Sequence, residues 1–281
     1  MRKFILAAVA VSLVIPIAAA PGAIQYDFKQ ITKTDPPSEK PRITSGSVYL
    51  DQGMSRVDYS KESSSGAGTW VISRNGGRDT IYVDPKSKTY LVHSTGDLSE
   101  TLSGVQLQIS NLQLDSRNLG SGPVMAGYST DHYRITATYD VSISLGPIPL
   151  VQHVETVIDK WTTAAFGDVS EIYFRGNLPH SGDPEIDRII EAETTQAPGF
   201  PLRQVTSITT TLSSKNLPKS TQIEVPRRRR QTTELIVTKV GRADSEPSRF
   251  QIPSSYQPID QSSMLGETGS FQNVTPKTIQ P

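Results

Sequence analysis

The sequence predicts a mainly β protein built from antiparallel strands, with a few short helices. From Tyr133 to Tyr139 apolar and polar residues alternate, so Tyr133, Ile135 and Tyr139 fall on one face of an extended chain. The 20 Gly and 20 Pro imply many turns. Thr, Ser, Val and Tyr crowd the middle of the chain, a composition that suits strands. We therefore expect successive hairpins rather than long helices.

The first half of the predicted sheet is a meander of hairpins. Ile24, Tyr26 and Phe28 alternate with polar residues, which is typical of a half-buried strand. The stretch Asp51-Gln52-Gly53 separates two later alternating runs and is a favourable hairpin turn. The same pattern predicts strands at Val48 to Leu50, Val57 to Tyr59, Trp70 to Ile72, Ile81 to Val83 and Tyr90 to Val92, with turns at Asn75-Gly76-Gly77 and Asp84-Pro85-Lys86.

Two segments predict helices. Between Thr95 and Asp115 apolar residues recur at spacings of three and four, which predicts an amphipathic helix. The stretch Asp183-Pro184-Glu185 combines an N-cap residue, a proline in the first turn and an acid, and predicts a short helix to about Thr194. The apolar positions of the first predicted helix are Leu98, Leu102, Val105, Ile109 and Leu112.

Strands fill the remainder of the predicted domain. Alternation continues from Tyr133 to Leu145, and a Gly-Pro-Ile-Pro break at residues 146–149 ends that run. The later predicted strands are His153 to Trp161, Ser170 to Arg175, Phe200 to Leu212, Thr221 to Val225 and Thr232 to Val240.

We expect one domain over residues 24–258, flanked by two segments outside it. Residues 1–23 combine Arg2-Lys3, an apolar run and small residues, as a secretory signal peptide does. The run is shorter than the roughly 20 residues that span a bilayer; an N-terminal membrane anchor is the alternative. Residues 259–281 are rich in Ser, Gln, Pro and Thr and predict a disordered tail. The mature protein is expected to be periplasmic or secreted, with no transmembrane segment.

Charge and residue usage exclude several function classes. Lys plus Arg and Asp plus Glu each total 28, so no overall field favours nucleic acid. The absence of Cys removes disulfides, thiolate nucleophiles, Cys-based metal sites and a lipid-anchor cysteine. The 4 His show no metal-ligand spacing. His132, which follows Asp131, is more simply a solvent-facing strand residue than the start of a relay. We therefore predict no enzyme, no metal and no cofactor, with an untraceable carboxylate pair as the enzymatic alternative.

The densest charge run is Arg227, Arg228, Arg229 and Arg230, which follows Pro226. A basic hairpin turn is one interpretation. Contact with anionic lipid headgroups is the other, because each basic side chain near such a surface contributes roughly 1 kcal/mol. The run is therefore a candidate for peripheral membrane contact.

Several short motifs, taken in their order along the chain, carry a resemblance that covers most of residues 24–256. They are Gly53 to Asp58, Tyr82 to Tyr90, Gly127 to Arg134, Glu155 to Trp161 and Phe250 to Tyr256. In this order they resemble an exported bacterial family of unknown function that is itself similar to the LolA/LolB outer-membrane lipoprotein carriers. The resemblance implies an antiparallel sheet curled into an unclosed half-barrel, with two or three short helices covering its open side and an apolar cavity suited to an acyl chain.

We expect the apolar face of the sheet to line that cavity. The candidate ligand-binding residues are Trp70, Ile72, Ile81, Val83, Tyr133, Ile135 and Tyr139, all expected on the concave side. The leading functional hypothesis is a non-enzymatic periplasmic protein that binds a lipid or an acylated protein partner, with a role in envelope lipid or lipoprotein handling. The alternative is a sensor or scaffold module that binds protein and has no lipid cavity, because inward apolar residues line a core and a cavity alike.

Overall fold

A computed structural model describes residues 22–37, 40–74, 79–94, 106–145, 148–166, 184–212 and 228–259. The strands are β1 (Ala23–Asp35), β2 (Arg42–Asp51), β3 (Met54–Tyr59), β4 (Trp70–Arg74), β5 (Asp79–Asp84), β6 (Thr89–Ser94), β7 (Gln106–Ser121), β8 (Asp131–Leu145), β9 (Ile148–Thr163), β10 (Phe200–Leu212), β11 (Arg228–Ala243) and β12 (Gln257–Pro258). One α-helix is described, α1 (Pro184–Thr195), with short 3-10 helices at Ala164–Phe166 and Pro247–Phe250.

The strands form a single sheet in the order β12-β6-β5-β4-β3-β2-β1-β11-β10-β9-β8-β7. The sheet is open and curled, and it does not close into a barrel. Neighbours pair antiparallel except for β12, which runs parallel to β6. The predicted mainly β, antiparallel and unclosed architecture is confirmed. Among the described strands, the short β12 and the long β7 lie at its two edges.

The predicted β2–β3 turn is confirmed. β2 ends at Asp51 and β3 begins at Met54, so Gln52 and Gly53 form the two-residue connection. Both have positive φ, 45° at Gln52 and 81° at Gly53. A two-residue turn with positive φ at both positions matches the right-handed twist of the strands that it joins, and a glycine adopts such a φ without steric cost.

The predicted helix from Leu98 to Leu112 is wrong where the structure describes it, because residues 106–121 form strand β7. A β-bulge between Ser110 and Gln113 inserts one extra residue, and Asn111 there has a φ of 58°. The extra residue makes the spacing from Ile109 to Leu112 three, as in a helix, while apolar residues stay on one sheet face. Residues 95–105 lie outside the described residues.

The second predicted helix is confirmed as α1, which begins at Pro184 and ends at Thr195. Glu185 and Asp187 lie in its first turn, where the helix dipole favours negative charge. No helix within the described ranges is both long and apolar enough to cross a membrane. Several predictions lie wholly or largely outside the described residues: residues 1–21 of the predicted signal peptide (1–23), the turn at 75–77, the strands at 170–175 and 221–225, and residues 260–281 of the predicted tail (259–281).

The sheet has two faces. In an antiparallel pair, directly opposed residues point to the same face, and successive residues of one strand point to opposite faces. Val48 is paired with Val57, and Val57 with Val71, so these three side chains share one face. Trp70 and Ile72 flank Val71 on β4 and therefore point to the other face.

The other half of the sheet continues the same two faces. A ladder of paired residues runs through Ile135, Ile158, Thr206, Thr233 and Thr32. On β1, Thr32 and Tyr26 are an even number of residues apart, and Tyr26 is paired with Val48. Ile135 therefore points to the same face as Val48. Helix α1 contacts β7 and β8, and Ala197, just beyond the end of α1, packs on Ile135; we call this face the α1 face.

Three apolar clusters are described, and two of them lie on the α1 face. The central cluster is Ile24, Val48, Leu50, Val57, Phe166, Phe200, Leu202 and Val237. The helix cluster is Tyr133, Ile135, Ile158 and Ala197. The strap cluster, on the opposite face, is Ala23, Tyr49, Trp70, Ile72, Ile81, Val83 and Phe250.

Residues 244–259, which we call the strap, cover the opposite face of β2 to β6, which we call the strap face. The Tyr49 hydroxyl donates to the Asp244 carbonyl at 2.6 Å and accepts from the Glu246 amide at 2.7 Å. The Arg56 guanidinium donates to the Arg249 carbonyl at 2.8 Å. The strap ends as β12, paired with β6. It is thus held by side chains at its start and by backbone pairing at its end.

Candidate ligand-binding face

The predicted cavity residues are divided between the two faces of the sheet. Tyr133 and Ile135 are buried in the helix cluster, and Tyr139 is half-buried on the same α1 face. Trp70, Ile72, Ile81 and Val83 belong instead to the strap cluster. The prediction that all of them share one side is therefore wrong. Alternation within a strand shows which residues point the same way, but pairing between strands decides which face that is.

The central cluster is surrounded by half-buried aromatic side chains. Tyr26 meets Phe200 edge to face at 5.4 Å between ring centroids, and Phe28 meets Tyr59 at 6.3 Å. Tyr128 packs on Phe166 at 5.1 Å. Such edge-to-face pairs are favourable beyond the area that they bury. We call the half-buried members the aromatic rim: Tyr26, Phe28, Tyr59 and Tyr128.

Burial also changes the pKa of two tyrosine hydroxyls on the α1 face. Burial raises the pKa of Tyr59, and the neighbouring Tyr82 raises it further. Burial raises the pKa of Tyr82 as well. Because a phenolate is poorly solvated by apolar neighbours, both groups stay neutral at physiological pH. This part of the α1 face therefore presents aromatic surface and no phenolate charge.

A polar network around the buried Lys160 lies on the α1 face. The Lys160 side chain is only 1% exposed, and it points to the α1 face because Lys160 is paired with Tyr133. Its Nζ donates to the Glu193 carbonyl at 3.2 Å. Gln204 Nε2 donates to Glu193 Oε1 at 3.0 Å. Burial lowers the pKa of Lys160, and the Glu193 carboxylate opposes that shift. The network ties the last turn of α1 to β9 and β10.

Lys160 is a residue that the sequence reasoning missed. Its position on β9 is an even number of residues from Ile158 and Val154, both buried on the α1 face. That alternation is visible in the sequence and could have identified an inward-facing lysine. A lysine at an inward position of a strand is a signal for a buried polar network, because an isolated buried ammonium is costly.

Two further buried polar groups lie beside the central cluster. Ser55 and Ser73 face each other across β3 and β4, and Ser55 is also paired with Leu50. Both are on the α1 face, at 0% and 1% exposure. Neither hydroxyl has a hydrogen-bond partner in the part of the chain that the structure describes.

On the strap face, β8 to β10 carry a polar and aromatic stack. The His132 ring stacks on Trp161 at 4.3 Å with an interplanar angle of 9°, and the Arg203 guanidinium lies 4.7 Å from the Trp161 centroid. His132 Nε2 lies 2.9 Å from Asp159 Oδ1, and Arg134 donates to both oxygens of Asp159. His132 is therefore paired with Asp159 across the strands and not with Asp131.

Asp159 is the charged centre of this stack. Burial alone would raise the pKa of its carboxyl, but hydrogen bonds from Arg134 and His132 outweigh burial, so the pKa is lowered. A carboxylate held ionised by two donors is suited to orienting side chains and not to taking up a proton near neutral pH. Among the described residues no group of three or more His, Cys, Asp or Glu side chains is arranged to hold a metal ion.

Arg228, Arg229 and Arg230 lie in β11, paired with Thr211, Thr210 and Thr209 of β10. The predicted hairpin turn is therefore wrong for these three residues, because their backbone continues the β10–β11 ladder. Arg227 lies outside the described residues. All three side chains are exposed. The Arg228 guanidinium is 4.0 Å from the Glu155 carboxylate, and Arg230 donates to the Ser207 hydroxyl at 3.2 Å. The proposed headgroup contact stays a prediction.

Replacing all four residues from Arg227 to Arg230 with Ser is expected to weaken binding to anionic liposomes at low salt and leave folding intact. Each basic side chain near such a surface contributes roughly 1 kcal/mol, and salt screens the attraction. Liposome co-sedimentation at two salt concentrations measures this. Arg117→Ser, a change on exposed β7, serves as control. Equal liposome binding by wild type and the variant with four substitutions would show that these arginines form a solvated strand end and do not contact headgroups.

Comparisons with known proteins found likeness only among solved structures. No family model and no curated protein matches the chain. One similar structure is an uncharacterized conserved protein from Thermus thermophilus, with 11% identity, a TM-score of 0.37, and coverage of 85% of this chain and 90% of that one. Another is a LolA superfamily protein from Nitrosomonas europaea, with 11% identity, a TM-score of 0.29, and coverage of 84% and 92%. At this identity and these TM-scores, neither likeness assigns a ligand or an activity.

Proposed function

We propose that this protein is a non-enzymatic binding protein that holds a lipid or the acyl group of a partner protein against the α1 face of its open sheet. The observation that carries the proposal is the aromatic rim. Phe28, Tyr59 and Tyr128 are only partly buried at the border of the central cluster. Because the sheet does not close, none of the described strands seals its apolar face.

The chemistry of this face fits an acyl chain better than a polar ligand. The central cluster is built from aliphatic and aromatic side chains. Each buried methylene of a ligand is worth about 0.8 kcal/mol, so a chain that lies along such a surface binds by apolar contact alone. Two of the polar side chains on this face are engaged with Glu193 of α1: Lys160 Nζ donates to its carbonyl and Gln204 Nε2 to its carboxylate. These two groups are therefore satisfied within the protein.

We further propose that the protein acts outside the cytoplasm, in the periplasm or as a secreted protein. The charged start, apolar run and small residues of the first 23 positions support export. The exposed arginines of β11 support peripheral contact with an anionic membrane surface, where an acyl ligand would be taken up or released. A role in envelope lipid or lipoprotein handling follows from this combination.

A specific observation favours a second function, a protein-binding scaffold without a lipid cavity. Ile24 and Leu202 at the centre of the central cluster are fully buried by the protein itself. β7 is moreover a long strand at one edge of the sheet that the described strands form, and an exposed edge accepts a strand from another protein. In this alternative the central cluster is a close-packed core.

Phe28→Ala is expected to weaken uptake of a fluorescent fatty acid about tenfold while the protein stays folded. The change removes partly exposed aromatic surface from the proposed contact, and apolar burial of a side chain of this size is worth about 1.5–3 kcal/mol. Fluorescence titration of delipidated protein measures uptake, and circular dichroism monitors folding. Ile31→Ala is the matched control, because Ile31 lies on the same strand but points to the strap face.

Two results would decide against the lipid-binding proposal. Wild-type protein that takes up no fatty acid, and that purifies from its host without lipid in native mass spectrometry, would leave the scaffold function. Equal loss of uptake in Phe28→Ala and Ile31→Ala would show that the fatty acid does not lie on the α1 face.

A further inference from the structure

We propose that Ser55 and Ser73 form a polar anchor for the acyl carbonyl oxygen of the bound ligand. The inference rests on the proposed function and adds to it a position for the polar end of the ligand. It starts from two buried hydroxyls whose hydrogen bonds the described part of the protein leaves unmade.

The two serines are directly opposed on neighbouring strands. Ser55 of β3 is paired with Ser73 of β4, so both Oγ atoms point to the α1 face at the same level of the sheet. Val57 and Val71, the next residues on that face, are also a cross-strand pair. Leu50 is paired with Ser55 on the other side. The two hydroxyls are therefore surrounded by aliphatic side chains of the proposed binding face.

Other buried hydroxyls of this protein do have partners. Thr162 donates to the Pro198 carbonyl at 2.6 Å, Thr130 donates to the Pro123 carbonyl at 2.7 Å, and Ser63 donates to the Ser65 carbonyl at 2.5 Å. Ser55 and Ser73 are as buried as these residues and lack such an acceptor in the described ranges. A buried hydroxyl without a partner is destabilising. A pair of them on a binding face is expected when a ligand supplies the missing acceptor.

The chemistry of the pair selects the class of acceptor. Each serine hydroxyl offers one O–H donor, and a carbonyl oxygen has two lone pairs, so one acyl oxygen satisfies both residues. The hydrocarbon chain of the same ligand then lies on the aliphatic and aromatic side chains of the central cluster. The shared feature of the predicted ligands is an acyl carbonyl, which occurs in fatty acids and in their esters.

The test compares wild type, Ser55→Ala, Ser73→Ala and the double variant in the delipidated full chain. The probes are palmitic acid, methyl palmitate and hexadecane, titrated by displacement of a fluorescent fatty acid. A hydrogen bond is worth about 1 kcal/mol, which is roughly fivefold in affinity. We therefore expect the double variant to bind both carbonyl ligands at least tenfold more weakly and to bind hexadecane unchanged. Ser47→Ala, on the strap face of β2, is the control.

The two carbonyl probes also separate the sources of the acyl group. If the double variant loses affinity for palmitic acid alone, the anchor binds a free carboxyl group. If it loses affinity for methyl palmitate alone, the anchor binds an ester. Unfolding without ligand gives a second measurement. If the hydroxyls have no partner, the double variant unfolds at the same or a higher urea concentration than wild type. A lower urea midpoint would show that a buried water or another group already satisfies the hydroxyls, and it would overturn the anchor.

Failure of the anchor differs from failure of the proposed function. If wild type binds all three probes and the double variant matches it, lipid binding stands and the anchor is wrong. If the affinity of the double variant falls as much for hexadecane as for the carbonyl ligands, the serines act through packing and the anchor is again wrong. If wild type binds none of the probes, the proposed function fails, and the anchor fails with it.

Discussion

Replacing Phe250 with Ala is expected to lower the free energy of unfolding by about 3–5 kcal/mol, the usual cost of truncating a buried aromatic side chain. Phe250 is 2% exposed and inserts between the strap and the sheet. Its ring lies 5.7 Å from that of Tyr49. The substitution leaves a cavity in the strap cluster, whose neighbours are held by strand pairing and relax only partly.

The backbone around Phe250 adds to this expectation. Arg74 donates to the Phe250 carbonyl, and Arg56 donates to that of Arg249. Removing the ring is therefore expected to weaken these two hydrogen bonds as well, which hold the strap on β3 and β4. Urea denaturation measures the change. Leu119→Ala, at a residue that is 46% exposed, should stay within about 0.5 kcal/mol of wild type. A loss below about 1 kcal/mol in Phe250→Ala would mean that the strap is not part of the folded core.

Lys160→Met is expected to raise the free energy of unfolding by about 1–4 kcal/mol, because a well-packed apolar side chain often replaces a buried charge with a gain in stability. Methionine is flexible and close to lysine in length, so it fills the same space between β9 and α1. The substitution removes the bond from Lys160 Nζ to the Glu193 backbone carbonyl, but the half-buried Glu193 carboxylate keeps its bond from Gln204 Nε2. The substitution therefore removes the free-energy cost of desolvating the ammonium and keeps the packing.

The difference between Lys160→Met and wild type should depend on pH. Burial lowers the pKa of Lys160 below its ordinary value of 10.5. Between the lowered pKa and 10.5 the unfolded chain binds more protons than the folded chain, so wild-type stability rises with pH in that window. The variant lacks this dependence, and its advantage should shrink as the pH approaches 10.5.

Urea denaturation of both proteins at several alkaline pH values measures the effect. The contribution of the buried tyrosines to the pH dependence cancels in this comparison, because both proteins contain them. Lys29→Met, a change at an exposed residue of β1, should leave the pH dependence as it is in wild type. A constant difference between Lys160→Met and wild type across the alkaline range would show that Lys160 is not a desolvated cation in the folded protein.

Much of the strand content could be predicted because local alternation is a property of each strand by itself. Tyr133 and Ile135 on β8, and Ile24 on β1, are buried on the predicted side of their own strands. α1 was predicted from Pro184 and the acids after it, which act within one helical turn. These signals depend only on residues that are close in sequence, so they do not change with the way the rest of the chain folds.

β7 shows where local reading fails. The spacing between Ile109 and Leu112 predicts a helix when each segment is read alone. Pairing with β8 turns the same residues into a bulged strand, with Ile109 opposite Val141 and Leu114 opposite Ala137. Apolar periodicity cannot separate a helix from a strand that carries an extra residue, because the bulge changes the period from two to three at one point.

The sequence by itself determined an antiparallel β architecture, the β2–β3 turn and one helix, since these follow from turn and capping chemistry and from alternation within strands. Only the tertiary structure decided that Trp70 and Tyr133 belong to opposite faces, because a face is set by the register between strands. It alone decided that Phe250 closes the strap face and that the Ser55 and Ser73 hydroxyls lack a partner among the described residues. Burial and unmet hydrogen bonds arise between residues that are distant in sequence, and no local pattern records which of them meet.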